Sequence, residues 1–110
     1  MLRNQISKQD WTHFKLVRER TLDRLCERAL DALAVAASDT SKTAHERFRS
    51  VYSEINEYNE QIAAGFDGLS RSRMLFQLAF MQSLGLLQDD DLAGFTPETQ
   101  EWIANCNSRA

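Results

Sequence analysis

Residues 11–36 read WTHFKLVRERTLDRLCERALDALAVA and residues 43–66 read TAHERFRSVYSEINEYNEQIAAGF. No glycine or proline precedes Gly65. Sixty-four residues without a chain-breaker, with apolar side chains recurring at helical intervals, form long helices. In the first stretch Trp11, Phe14, Val17, Leu22, Leu25, Ala29, Leu33 and Ala36 make a stripe that Cys26 and Leu30 widen. Ser7-Lys-Gln-Asp10 supplies a hydroxyl cap with an acid three residues on, so this helix is predicted from about 8 to 37. In the second, Phe48, Val51, Ile55, Tyr58 and Ile62 are spaced 3-4-3-4, a heptad rhythm that ends near Phe66. Thr43-Ala-His-Glu46 is a capping-box pattern for its start, with Ser41 a competing cap. The polar, turn-favouring residues from Ala37 to Thr43 connect the two as an antiparallel hairpin.

The punctuation lies in the C-terminal 46 residues, which hold all four glycines and Pro97. Gly65-Phe-Asp-Gly68-Leu is the second connection, and Ser70 or Asp67 caps a third helix over about 71 to 84. Met74, Leu75, Phe76, Leu78, Ala79, Phe80, Met81 and Leu84 surround its wheel, as in a helix buried on all sides, and Gly85 stops it. Leu86 to Phe95 reads as an acidic connection with room for one helical turn. Thr96-Pro97-Glu98 then opens a short last helix whose inner face is Trp102, Ile103 and Cys106. The expected fold is all-α: an up-and-down bundle of two long helices of about 40 Å each, a buried third helix and a short C-terminal helix, one domain over 1–110. Leu25, Leu33, Val51, Ile55 and Leu78 are the expected core.

Composition narrows the function classes. The chain has 43% hydrophobic and 26% charged residues, near globular averages. Residues 1–64 carry ten basic and ten acidic side chains and residues 65–110 carry three and six, which accounts for the net charge of −3. No element shows the basic surplus of a nucleic-acid binder. The longest apolar stretch, Met74 to Leu87, is interrupted by Gln77, Gln82 and Ser83 and is too short to span a bilayer. Two cysteines 80 residues apart, with no apolar leader at the N-terminus, read as a reduced cytoplasmic protein.

Few residues suggest chemistry. Asp10-x-x-His13 and Glu54-x-x-Glu57-x-x-Glu60 align metal-capable side chains on helix faces, yet two histidines and no clustered thiols leave few ligand sets, and both read as solvated surface. Asp89 to Gln100 has acids at the first and third positions of a calcium loop and Gly94 at the sixth, but lacks the bidentate glutamate at the twelfth. Glu54-Ile-Asn-Glu57 resembles the E-x-x-E motif of the all-helical nucleoside triphosphate pyrophosphatases. The E-x-x-D that would complete their magnesium site is missing, because residues 61–88 contain only Asp67 as an acid. Arg18, Arg20, Arg24 and Arg28 invite comparison with the helical chorismate mutases, which clamp a dicarboxylate with arginines and a lysine. Asp23, Glu27 and Asp31 stand three residues after Arg20, Arg24 and Arg28, so an ion-paired exposed helix surface meets those charges without a ligand. No G-x-S-x-G motif, cysteine–histidine spacing or phosphate-cradling glycine loop is present.

One segment breaks a local rule. Arg71 and Arg73 fall in the first turn of the third helix, where the macrodipole disfavours cations. With Ser70, Ser72 and the free N–H groups of that turn they make a candidate site for an anion or for a partner's acidic side chain, with neutralisation by Asp67 or by a neighbouring helix as the structural alternative. No cofactor and no metal is implied. The sequence reads as a non-catalytic interaction or regulatory protein. A homodimer is expected, joined through Phe76, Phe80 and Met81 of the third helix, with a protein partner and with neither nucleic acid nor membrane. The competing reading is a small helical enzyme or small-molecule binder with an arginine-lined anion pocket.

Overall fold

The computed structural model describes residues 6–108. Helix α1 runs from Lys8–Ser38, α2 from Ala44–Phe66, α3 from Met74–Ser83, α4 from Asp89–Ala93 and α5 from Pro97–Ser108. There is no strand among the described residues, and the fold is all-α. Among the described residues no helix is long and apolar enough to cross a membrane.

The caps behave largely as the residue types require. Ser7 Oγ accepts from Asp10 N at 3.0 Å, and Thr43 with Glu46 closes both arms of a capping box at 3.1 and 2.9 Å. Ser41, the competing cap, serves the turn instead. Its N–H and hydroxyl both donate to Asp39, at 3.1 and 2.6 Å. The Ser41 hydroxyl and amide bonds hold the Asp39 carboxyl below the usual carboxylate range. Gly85 takes φ +69°, the left-handed conformation that ends a helix at low cost only with glycine. The third helix begins later than expected. Arg71–Arg73 form a 3-10 turn, and Ser70 makes no side-chain cap.

At 1.5 Å per residue the 31 residues of α1 and 23 of α2 span about 46 and about 34 Å. They form the antiparallel hairpin, and α3 packs on both helices and on α5. The ten residues of α3 are about 15 Å long, so α3 to α5 cover only the half of the hairpin nearest the start of α1. The molecule is therefore elongated, 54 × 24 × 23 Å. Its core lies in the covered half and contains Phe14, Val17, Leu25, Phe66, Met74, Leu78, Met81, Leu86, Phe95 and Ile103. Gly65 is needed there because a Cβ would run into the Phe80 ring. Gly94 is likewise packed against the His13 ring, whose edge meets Phe95 at 4.7 Å between centroids.

Two expectations about burial are corrected. Leu25 and Leu78 are fully buried, but Leu33 and Val51 are half-buried and Ile55 is exposed. The hydrophobic seam of α2 turns out to be rotated. Val51, Tyr58 and Ile62 are half-buried, whereas Phe48 and Ile55 are exposed. The third helix is also less available than its composition implies. Met81 is fully buried, Phe80 is half-buried, and only Phe76 stands out, at 59% exposure.

Candidate functional site

The Ser70–Arg73 segment lies beside the start of α1. The Arg71 guanidinium is 6.0 Å from the Trp11 ring centre, and Lys15 Nζ approaches the same ring at 5.5 Å. Arg73 lies 5.5 Å from the Phe76 ring, and the Ser70 and Ser72 hydroxyls meet at 3.3 Å. Both arginines are exposed, and neither forms an ion pair among the described residues, so the alternative pairing with Asp67 is not what holds them. Cation–π contact with an aromatic face places them, at about 0.5–1 kcal/mol for exposed pairs. Nothing in the sequence marks Lys15 and Trp11 as members of this corner, because they lie nearly sixty residues away.

The arginines of α1 are also placed differently from the local expectation. They do not pair along the helix with Asp23, Glu27 and Asp31. Arg24 grips the fully buried Asp91 carboxylate at 2.5 and 3.4 Å, and Arg20 reaches it at 3.5 Å. Gln88 N donates to the same carboxylate at 2.8 Å. Arg24 and Arg28 also donate to the Leu86 and Leu84 carbonyls at 2.9 and 2.8 Å, and Arg18 donates to the Phe66 carbonyl. Leu84 is the C-cap of α3 and Phe66 the last residue of α2. Cations on one helix thus meet the orphan carbonyls and negative dipole ends of two others. Burial pushes the Asp91 carboxyl up, yet the Arg24 and Gln88 bonds and the arginine charges outweigh it and hold the group below its ordinary value.

Asp10 and His13 are structural in the same way. Asp10 is buried and accepts from Thr96 N and Thr96 Oγ1 at 2.8 Å each and from Thr99 Oγ1 at 2.6 Å. It caps α5 from a distance of 86 residues in sequence, which uses the oxygens a metal would need. His13 Nε2 bonds the Asp91 carbonyl at 2.7 Å. The two carboxyls held below their ordinary range, Asp39 in the hairpin turn and Asp91 under the α1 arginines, each have a structural cause.

An exposed apolar surface lies elsewhere, on the distal half of the hairpin. Leu30, Phe48, Tyr52 and Ile55 are 62%, 70%, 63% and 40% exposed. Phe48, Tyr52 and Ile55 follow the i, i+4, i+7 spacing of one helix face. Leu30 stands five residues after buried Leu25, about 140° around α1 from the stripe that seats α3. That stripe itself continues through Ala32, Val35, Ala36 and Asp39, which with Ser50, Ser53 and Glu54 line an open groove of about 550 Å³. The hairpin tip thus has two faces, a shallow groove of mostly small residues on the α3 side and a bulky apolar face on the other. No family model, no curated protein and no solved structure matches the chain.

Proposed function

We propose that this is a small cytoplasmic, non-catalytic interaction protein that works as a homodimer, with the distal half of the α1–α2 hairpin as its working surface. The reading rests on one observation: four large apolar side chains lie on a segment that no other helix among the described residues covers. Contiguous apolar surface of that kind drives association. Two cysteines 80 residues apart are too few for a secreted disulfide scaffold, which supports a reducing compartment. The interface is moved from the third helix expected from sequence, since Met81 and Phe80 are occupied within the monomer. Sedimentation velocity at tens of micromolar is expected to give a dimer, and Phe48→Ser with Tyr52→Ser a monomer of unchanged helicity. A wild-type monomer at that concentration removes the reading.

A second reading is supported by the absence of any ion pair to Arg71 and Arg73 among the described residues. In it, Ser70, Arg71, Ser72 and Arg73 hold an anion at the Trp11 corner. Changing both arginines to glutamine is then expected to leave the thermal midpoint close to that of the wild type, because the dipole term opposing these cations, about 0.3–1 kcal/mol each, offsets the lost cation–π contacts to Trp11 and Phe76. Millimolar phosphate should raise the midpoint of the wild type and not of the double variant. A destabilised double variant that ignores phosphate assigns the two arginines a purely structural role.

A further inference from the structure

The charges beside the apolar face are divided between the two helices, and their division decides how a second copy can sit. Glu27 and Asp31 flank Leu30 on α1, at i−3 and i+1, and both are exposed. Arg49 and His45 flank Phe48 on α2, at i+1 and i−3, and are exposed too. Neither Asp31 nor Arg49 forms an ion pair among the described residues. One rim of the face is therefore acidic and the other carries the basic groups.

Building on the homodimer reading, we infer that the partner is a second copy packed hairpin on hairpin with the two tips level, α1 of each copy lying along α2 of the other. Two isologous arrangements bring the same apolar face together. In one, α1 packs on the partner's α1 with the tips opposed, which sets acid against acid and Arg49 against the partner's Arg49. In the other the acidic rim meets the basic rim twice. Like charges across an interface are strongly disfavoured, so the rim selects the second. Counted from Ser41 at the turn, Asp31 is ten residues back along α1 and Arg49 is eight forward along α2. With the tips level, Asp31 and the partner's Arg49 differ in height by about 3 Å, within reach of an arginine. All neighbouring helices then run antiparallel, as in a four-helix bundle.

The area suits such a contact. At about 200 Å² for a ring side chain, Phe48 and Tyr52 alone expose about 270 Å² per copy. Leu30, Ile55 and the two rims extend this toward the roughly 800 Å² per partner of a stable interface. Leu30 and Ile55 have the shapes of core-layer residues in helical bundles, and Tyr52 keeps its hydroxyl at the edge.

The test is a charge swap read by sedimentation equilibrium. Asp31→Arg alone and Arg49→Asp alone each place like charges at both symmetry-related contacts and are expected to weaken the dimer about tenfold. An equimolar mixture of the two variants restores opposite charges at both contacts and should dimerise within about threefold of the wild type. Melting curves of each variant check that the monomer fold is intact. Single variants with unchanged dimer affinity overturn this arrangement and leave the homodimer reading standing. A wild-type chain that stays monomeric overturns both.

Discussion

Asp91→Ala is expected to lower the stability of the fold by about 3 kcal/mol, the low end of the cost of breaking a buried charge pair. Its carboxylate is fully buried, whereas the side chains of Arg24 and Arg20 retain 26% and 43% exposure and find some water when it is removed. The loss also leaves Gln88 N without its acceptor at the start of α4. Denaturant midpoints at pH 7 measure this directly. The pH dependence follows from the same contacts. The folded carboxyl titrates below the ordinary value of 3.8, so its stabilisation is complete above that value and fades as pH falls through the lower folded pKa. Wild-type stability should therefore drop more steeply below pH 3.8 than that of Asp91→Asn, which starts lower and has no proton to take up there. Equal midpoints for wild type and Asp91→Ala at pH 7 would show that the arginine–carboxylate contact contributes nothing.

Leu78→Ala and Ile55→Ala should separate sharply, although both positions read as core in the sequence. Leu78 has no exposure and sits where α3 meets its neighbours, so truncation removes buried surface and leaves a cavity, at about 3 kcal/mol. Ile55 is 40% exposed at the uncovered end of the hairpin, and its truncation should change monomer stability by less than about 0.5 kcal/mol. Its effect belongs instead to the dimer, whose dissociation constant should rise. Chemical denaturation at submicromolar protein isolates the first quantity, and sedimentation the second. A large loss of monomer stability in Ile55→Ala would mean that the distal hairpin is covered within the chain.

The candidate site was less legible than the fold. Arg71 and Arg73 break a helix-dipole rule visible in the sequence and stand exposed, without ion pairs among the described residues, yet Trp11 and Lys15 complete that corner from far away in sequence. The apolar face of the hairpin was visible as residues and hidden as a surface. In the sequence Leu30 widens the α1 stripe and Phe48 and Ile55 belong to the α2 seam, because helical periodicity reports which residues share a face and not what covers it. A ten-residue α3 covers half of a 31-residue α1, and that difference in length turns part of a core pattern into exposed surface.

Local chemistry in the sequence by itself determined where the two long helices begin, where α3 stops and where α5 opens, but not the start of α3, which follows an uncapped 3-10 turn. The glycine- and proline-free first 64 residues, the Ser7 and Thr43 caps, Gly85 past the end of α3 and Pro97 opening α5 act through the backbone of their own neighbours and need no tertiary partner. Only the tertiary structure decided the destinations of the long polar side chains. Arg20, Arg24 and Arg28 have acids three residues on, but an exposed ion pair of that kind contributes only a few tenths of a kcal/mol. Asp91 and the Leu86 carbonyl, in less hydrated surroundings, offer charge-assisted hydrogen bonds and would be costly to leave unpaired, and the exposed Leu84 carbonyl at the C-cap of α3 offers Arg28 a charge-assisted bond as well. The stronger demand captures the arginines. Asp10 is drawn for the same reason to the orphan N–H and hydroxyls at the start of α5, a need created only when the last helix folds back onto the first.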